Sequence, residues 1–124
     1  MRSYVVDASA VGVGSPLIDT ADALFAPELI DLEVANLLRK AVLRRHRNAD
    51  EAGSMLAAWA SNEVVRFPHA SYLATVWSLR ENITPYDAAY VALAMHLDAT
   101  LLTADHRLAA AASRYCEVVV IGPS

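Results

Sequence analysis

Fourteen acidic residues occur in this 124-residue chain. Four of them stand in apolar settings, where a carboxylate is costly unless it is paired, hydrogen-bonded or bound to a metal. Asp7 follows Tyr4-Val5-Val6. Glu33 lies three residues after Ile30 and four before Leu37, so the three share one helical face. Asp87 opens the apolar run Ala88 to Met95, and Asp105 comes just past Thr100-Leu101-Leu102. Four such groups in one cleft would repel and raise each other's pKa. A hard divalent cation removes that conflict, and oxygen-only ligands favour magnesium or manganese. Such an ion orients and activates water and stabilises charge on a phosphodiester. The chemistry expected is hydrolysis of a phosphodiester, with Asp7, Glu33, Asp87 and Asp105 holding metal and water. Asn36, one turn beyond Glu33, could steady its carboxylate or a bound water.

Each acid also has a plain structural explanation. Asp7 could close a turn with Ala8-Ser9, and Glu33 could sit at the edge of the apolar stripe and reach solvent. Thr84-Pro85-Tyr86-Asp87 fits a helix start, with Thr as N-cap, Pro in the first turn and an acid three residues on. Asp105 could cap the Ala-rich helix that follows it. The combination favours a shared site: two acids lie at strand ends and one opens a central helix. Glu33 joins them if its helix packs on the same sheet edge.

The elements that must position these groups follow from the pattern. Ser3 to Val6, Glu63 to Phe67, Thr100 to Leu102 and Glu117 to Ile121 read as strands. Gly12, Gly14 and Pro16 punctuate a loop, and residues 17 to 25 are expected to form a short helix. A long amphipathic helix runs from about Glu28 to Arg47. Asn48-Ala49-Asp50 breaks it, and Asp50 is expected to cap the next helix, residues 51 to 61. Further helices are expected over 69 to 81, from Thr84-Pro85 to about His96, and after Asp105 to about Arg114. Alternating strands and helices predict an α/β fold of three layers. Its central, mostly parallel sheet has about four strands and is flanked by helices. Residues 1–124 read as a single domain.

Hydrophobic residues make up 56% of the chain, yet no apolar stretch approaches the roughly 20 residues needed to span a bilayer. The N-terminus does not read as a signal peptide, and a single cysteine, Cys116, allows no internal disulfide. Both lead to the expectation of a cytoplasmic protein. A net charge of −4 argues against coating nucleic acid by charge alone. Five of the ten basic residues nevertheless cluster as Arg39, Lys40, Arg44, Arg45 and Arg47. They could hold RNA phosphates or simply suit a helix C-terminus. The four histidines lack metal-site spacing, which argues against zinc. No Gly-rich phosphate loop occurs. A phosphoryl-accepting regulatory domain would need a late lysine, and the only lysine is Lys40.

The segments Tyr-Val-Val-Asp-Ala-Ser-Ala at 4–10, Pro-Glu-Leu-Ile-Asp-Leu-Glu-Val-Ala-Asn-Leu-Leu at 27–38, Thr-Pro-Tyr-Asp-Ala-Ala-Tyr-Val-Ala-Leu-Ala at 84–94 and Leu-Leu-Thr-Ala-Asp-His-Arg-Leu at 101–108 together resemble PIN domains. They look most like the VapC-type toxins of bacterial toxin–antitoxin pairs. The resemblance covers nearly the whole chain. It implies a magnesium-dependent endoribonuclease that cuts structured RNA such as transfer or ribosomal RNA. It also implies a homodimer neutralised by a cognate antitoxin whose tail enters the active site. By position, Asp7 and Asp87 would be the principal metal ligands, with Asp105 beside them, and Glu33 would complete the acidic set. Ser9 and Thr103 match hydroxyl positions beside the family's acids. The interval from Asp7 to Glu33 is shorter than usual for the family, and the missing residues fall around Gly12 to Phe25, beside the cleft. That departure admits an alternative: a catalytically impaired module that only binds an antitoxin.

Overall fold

The computed structural model describes residues 2–122. Its centre is β1 (Ser3–Val6), flanked by β2 (Ala23–Pro27) on one side and β4 (Thr100–Thr103) on the other. With β3 (Val65–Phe67) and β5 (Val118–Val120) at the edges, the order is β3-β2-β1-β4-β5, and every pairing is parallel. Parallel strands need crossovers, and the helices supply them. Helices α1 (Ala8–Val13) and α2 (Pro16–Asp19) join β1 to β2, and the hairpin α3 (Leu29–Leu43) and α4 (Ala49–Ala60) joins β2 to β3. A 3-10 turn (Ala70–Tyr72), α5 (Leu73–Ser78) and α6 (Pro85–Leu97) carry the chain back across β1 to β4. Helix α7 (His106–Ala112) then leads to β5.

This path has a consequence for ligand binding. The chain leaves β1 towards one edge of the sheet and later returns to β4 on the other side of β1. The carboxyl ends of β1 and β4 therefore form a topological switch point, where diverging connections leave a crevice. Register sets what lies there. Val6 pairs with Leu102, and the Asp7 amide donates to the Leu102 carbonyl at 3.3 Å, so Asp7 comes level with Thr103.

The core lies on both faces of the sheet. Val5, Val6, Leu101 and Leu102 are fully buried, although successive residues point to opposite faces. Helix α6 packs on β1, β2 and β4, and its residues Ala88 to Ala94 are all buried. Burial of Val91 and Leu93 is worth about 1.5–3 kcal/mol per side chain, which anchors the helix. Its first turn, with Asp87, is thereby fixed beside the crevice.

Five strands form rather than about four. The additional one, β2, lies where a helix over 17 to 25 was expected. A short apolar run such as Ala23 to Pro27 fits a buried strand as well as a helix, and periodicity alone does not separate them. Here Ser15 and Pro16 start a helix that ends after one turn at Thr20, while the Asp22 carboxylate accepts from the Arg2 amide at 2.7 Å and aligns Ala23 with Ser3. The expected helix over 69 to 81 is a 3-10 turn followed by the short α5. Asn48, not Asp50, caps α4. Its side chain accepts from the Glu51 amide at 2.8 Å while the Glu51 carboxylate accepts from the Asn48 amide at 3.0 Å. That reciprocal box needs an acid three residues after the cap, which Asn48 has.

Candidate active site

Asp7, Ser9, Glu33, Asn36, Lys40, Tyr86, Asp87, Tyr90 and Asp105 line a cleft of about 370 Å³ over the switch point. Ala8, Leu29, Leu32 and Leu37 complete its wall. All four acids singled out in the sequence therefore face one cleft, from the end of β1, the second turn of α3, the start of α6 and the start of α7.

Asp7 is the most enclosed of the four, at 6% exposure. Its Oδ1 accepts from the Ala10 amide at 2.9 Å and from Ser9 Oγ at 2.8 Å, and its Oδ2 accepts from Thr103 Oγ1 at 2.6 Å. Asp7 thus caps α1 while facing the cleft, so its structural and functional explanations coexist. Burial pushes its pKa up, against the three hydrogen bonds that favour the ionised form. The charge of Asp105 raises it further.

Ser9 and Thr103 tie this end of the site to β4. Each hydroxyl has one proton, and both protons go to Asp7. As acceptors, Ser9 Oγ takes the Ala104 amide at 2.9 Å and Thr103 Oγ1 takes the Asp105 amide at 3.0 Å. Thr103 is fully buried.

Glu33 is half-buried, and its Oε1 accepts a hydrogen bond from the Tyr90 hydroxyl. Burial raises the Glu33 pKa most, the Tyr90 bond opposes this, and the charges of Asp87 and Asp7 add to the rise. Tyr90 is almost fully buried, and its own pKa is raised by burial and by Glu33.

Asp87 and Asp105 are held differently. Thr84 caps α6, its side chain accepting from the Asp87 amide at 3.3 Å, so the Asp87 carboxylate is not spent on the cap. Its Oδ2 instead accepts from Arg107 Nη2 at 2.9 Å. Asp105 caps α7, its Oδ1 accepting from the amides of Arg107 and Leu108 at 2.9 and 3.1 Å. Its Oδ2 lies 3.5 Å from the same Arg107 nitrogen.

The donors lining the cleft include no histidine or cysteine. Oxygen-only donors whose charges raise the pKa of Asp7 and Glu33, and that have already drawn in a guanidinium, suit a hard divalent cation better than zinc. Among the described residues, no three His, Cys, Asp or Glu side chains converge closely enough to grip a metal as they stand. Asp7 is turned to Ser9, Ala10 and Thr103 and Glu33 to Tyr90, while Asp87 and Asp105 share Arg107.

The family model of the PIN domain matches residues 4–113. The chain belongs to the PIN domain family. Its match with Ribonuclease VapC1 of Mycobacterium tuberculosis is 42% identical over 132 residues, covering 98% of this chain and 99% of that one. VapC ribonuclease Mb0985 of Mycobacterium bovis is 36% identical over 124 residues, covering 94% and 97%. The crystal structure of PAE2754 from Pyrobaculum aerophilum superposes with a TM-score of 0.67 at 26% identity, covering 95% of this chain and 90% of that one.

Within this PIN domain the basic cluster divides. Lys40 lines the cleft, whereas Arg39, Arg44 and Arg45 do not. Arg44 and Arg45 follow the end of α3 at the hairpin tip, with Arg45 in the left-handed region at φ 61°. Two residues escaped the sequence reading of the site. Tyr90 reads as packing, yet it stands one helical turn after Asp87 on the same face of α6, a spacing that could have implicated it. Arg107 had one weak signal, its place two residues beyond Asp105.

Proposed function

We propose that this PIN domain is a metal-dependent endoribonuclease that hydrolyses phosphodiester bonds in structured RNA of the transfer or ribosomal class. The observation that carries this reading is the convergence of Asp7, Glu33, Asp87 and Asp105 on one cleft at the switch point, with Lys40 on its wall. The ribonuclease names of relatives that align over nearly the full chain support it.

Magnesium, or manganese in its place, would be held by Asp7, Asp87 and Asp105. When bound it would supply activated water and neutralise charge on the phosphodiester. The chain's own residues do the rest. Ser9 and Thr103 fix the Asp7 carboxylate against the end of β4. Tyr90 holds Glu33 towards the cleft, where a carboxylate of raised pKa is suited to taking a proton from water. Asn36 stands one turn along α3 from Glu33 and can hydrogen-bond water or a sugar hydroxyl. Lys40 stands one further turn along, about 10 Å from Glu33 along the helix axis, and attracts a phosphate flanking the scissile one. Unpaired loops are the favoured targets, because their bases and backbone are accessible.

In line with the family resemblance, we read the chain as the toxin of a toxin–antitoxin pair, working as a homodimer in the cytoplasm and neutralised by a cognate antitoxin that enters this cleft. Leu73, Trp77 and Tyr86, exposed by 52%, 66% and 65%, leave apolar area for such partners. Among the described residues no helix is long and apolar enough to cross a membrane. The alternative of an impaired module that only binds an antitoxin rested on the short interval between Asp7 and Glu33. That interval still forms β2 and delivers Glu33 to the cleft, so no observation favours it.

The test is incubation of purified protein with total RNA and magnesium, followed by sequencing of the new RNA ends. Discrete cleavage is expected, abolished by a chelator and reduced at least about 100-fold in Asp7→Asn, the several kcal/mol a metal ligand supplies. Absence of cleavage, or equal cleavage by Asp7→Asn, contradicts the reading.

A further inference from the structure

Arg107 occupies the ground that Asp87 and Asp105 would share with a cation. Its Nη2 lies 2.9 Å from Asp87 Oδ2 and 3.5 Å from Asp105 Oδ2. No other Arg107 side-chain nitrogen makes a hydrogen bond among the described residues, so the guanidinium is attached through one corner. The Arg107 side chain is 70% exposed, against 19% for Asp87. The arginine therefore reaches in from the cleft mouth and can leave without disturbing the core. Its remaining N–H groups form a planar fork of the kind that matches phosphate oxygens.

We infer that Arg107 and the catalytic cation compete for Asp87 and Asp105, and that the displaced guanidinium then holds a phosphate of the RNA. This inference rests on the reading of the cleft as a cation site. Without metal, Arg107 offsets the repulsion between the two acids and keeps them oriented. When a divalent ion arrives, the carboxylates turn to it, and Arg107 is released at the entrance where the polyanion must approach. The same side chain thereby links metal loading to substrate grip. An ion pair whose arginine stands largely in solvent and is attached through one nitrogen is worth little, so the exchange has a low threshold.

The experiment measures manganese binding by electron paramagnetic resonance, without RNA, for the wild type, Arg107→Ala and Arg114→Ala. Arg114→Ala removes the same charge from an exposed position outside the cleft. Arg107→Ala is expected to bind manganese about fivefold more tightly, in keeping with a lost surface ion pair, with Arg114→Ala unchanged. At saturating manganese, Arg107→Ala should raise the KM for RNA about tenfold, as expected for a lost charge-assisted hydrogen bond, with kcat within about twofold. Equal or weaker manganese binding in Arg107→Ala, or an equal gain in both variants, overturns the competition. An unchanged KM overturns the phosphate role. If neither wild type nor variant binds manganese, the cation reading fails and this inference with it. If both bind equally, only the inference falls.

Discussion

Asp7 and Asp87 face the same cleft from opposite kinds of surroundings. Asp7 is almost enclosed, and both its oxygens accept hydrogen bonds from Ser9, Ala10 and Thr103. Its position follows from the register of β1 on β4. Asp87 is more open, and its carboxylate is held by the tip of one exposed arginine. One side of the site is thus preorganised by the sheet, while the other is held by a long side chain with many rotamers. A cation entering the cleft would find Asp7 already placed and need only displace Arg107 from Asp87 and Asp105.

The largest expected contrast comes from removing a hydroxyl on the closed side and a charge on the open side. Thr103→Val deprives buried Asp7 of a donor and leaves the Asp105 amide without its acceptor. Urea denaturation should show a loss of about 1–3 kcal/mol, and the cleavage rate should fall about 10- to 100-fold, as for partners that orient metal ligands. Asp87→Asn should cut cleavage at least as far, yet change stability by no more than about 1 kcal/mol, the worth of an ion pair whose arginine stands in solvent. Comparable stability losses in both would erase the distinction between the two sides.

Tyr90→Phe probes the junction between them with a smaller effect. The Tyr90 bond lowers the Glu33 pKa against burial and against the charges of Asp87 and Asp7, so its removal moves that pKa further up. Raised pKa values at Asp7 and Glu33 mean that protons are taken up, and activity is lost on acidification, at a higher pH than an ordinary carboxylate would give. In Tyr90→Phe the acid limb of the pH–rate profile should shift to still higher pH, with the rate well above that pH little changed. A limb that stays in place would separate Glu33 from the chemistry.

The smallest effects belong to the cations. Lys40→Ala should raise the KM for RNA a few-fold and reduce the salt dependence of binding by about 0.7 in log–log slope, the loss of one single-strand phosphate contact. Arg44→Ala and Arg45→Ala, beyond the cleft, should change neither. A reversed order would move the RNA path to the hairpin tip.

Much of this arrangement is legible in the sequence, for a physical reason. Apolar runs that end in an acid mark parallel strands buried on both faces, and ligands bind at their carboxyl ends. That logic finds Asp7 and Asp105, and the near-uniform apolarity of Ala88 to Met95 marks α6 as central, which fixes Asp87. Glu33 was harder, because its place depends on how Gly12 to Phe25 fold. The answer lay in β2, a strand whose five residues fit either secondary structure until β1 and β3 supply partners. Arg107 was least legible. Its role depends on where a long, exposed side chain comes to rest between two helix starts, and no periodicity encodes that. Charge density alone left the basic cluster open between an RNA contact and a helix end, and helical phase brings Lys40 to the cleft wall with the acids.

A crystal structure with manganese, read by anomalous scattering, decides whether this cleft holds a cation. One or more peaks are expected in the cleft, with oxygens of Asp7 and Asp87 about 2.1 Å away, and the Arg107 guanidinium withdrawn from Asp87. A well-ordered cleft without a manganese peak, with Arg107 still on Asp87 at saturating manganese, would contradict it.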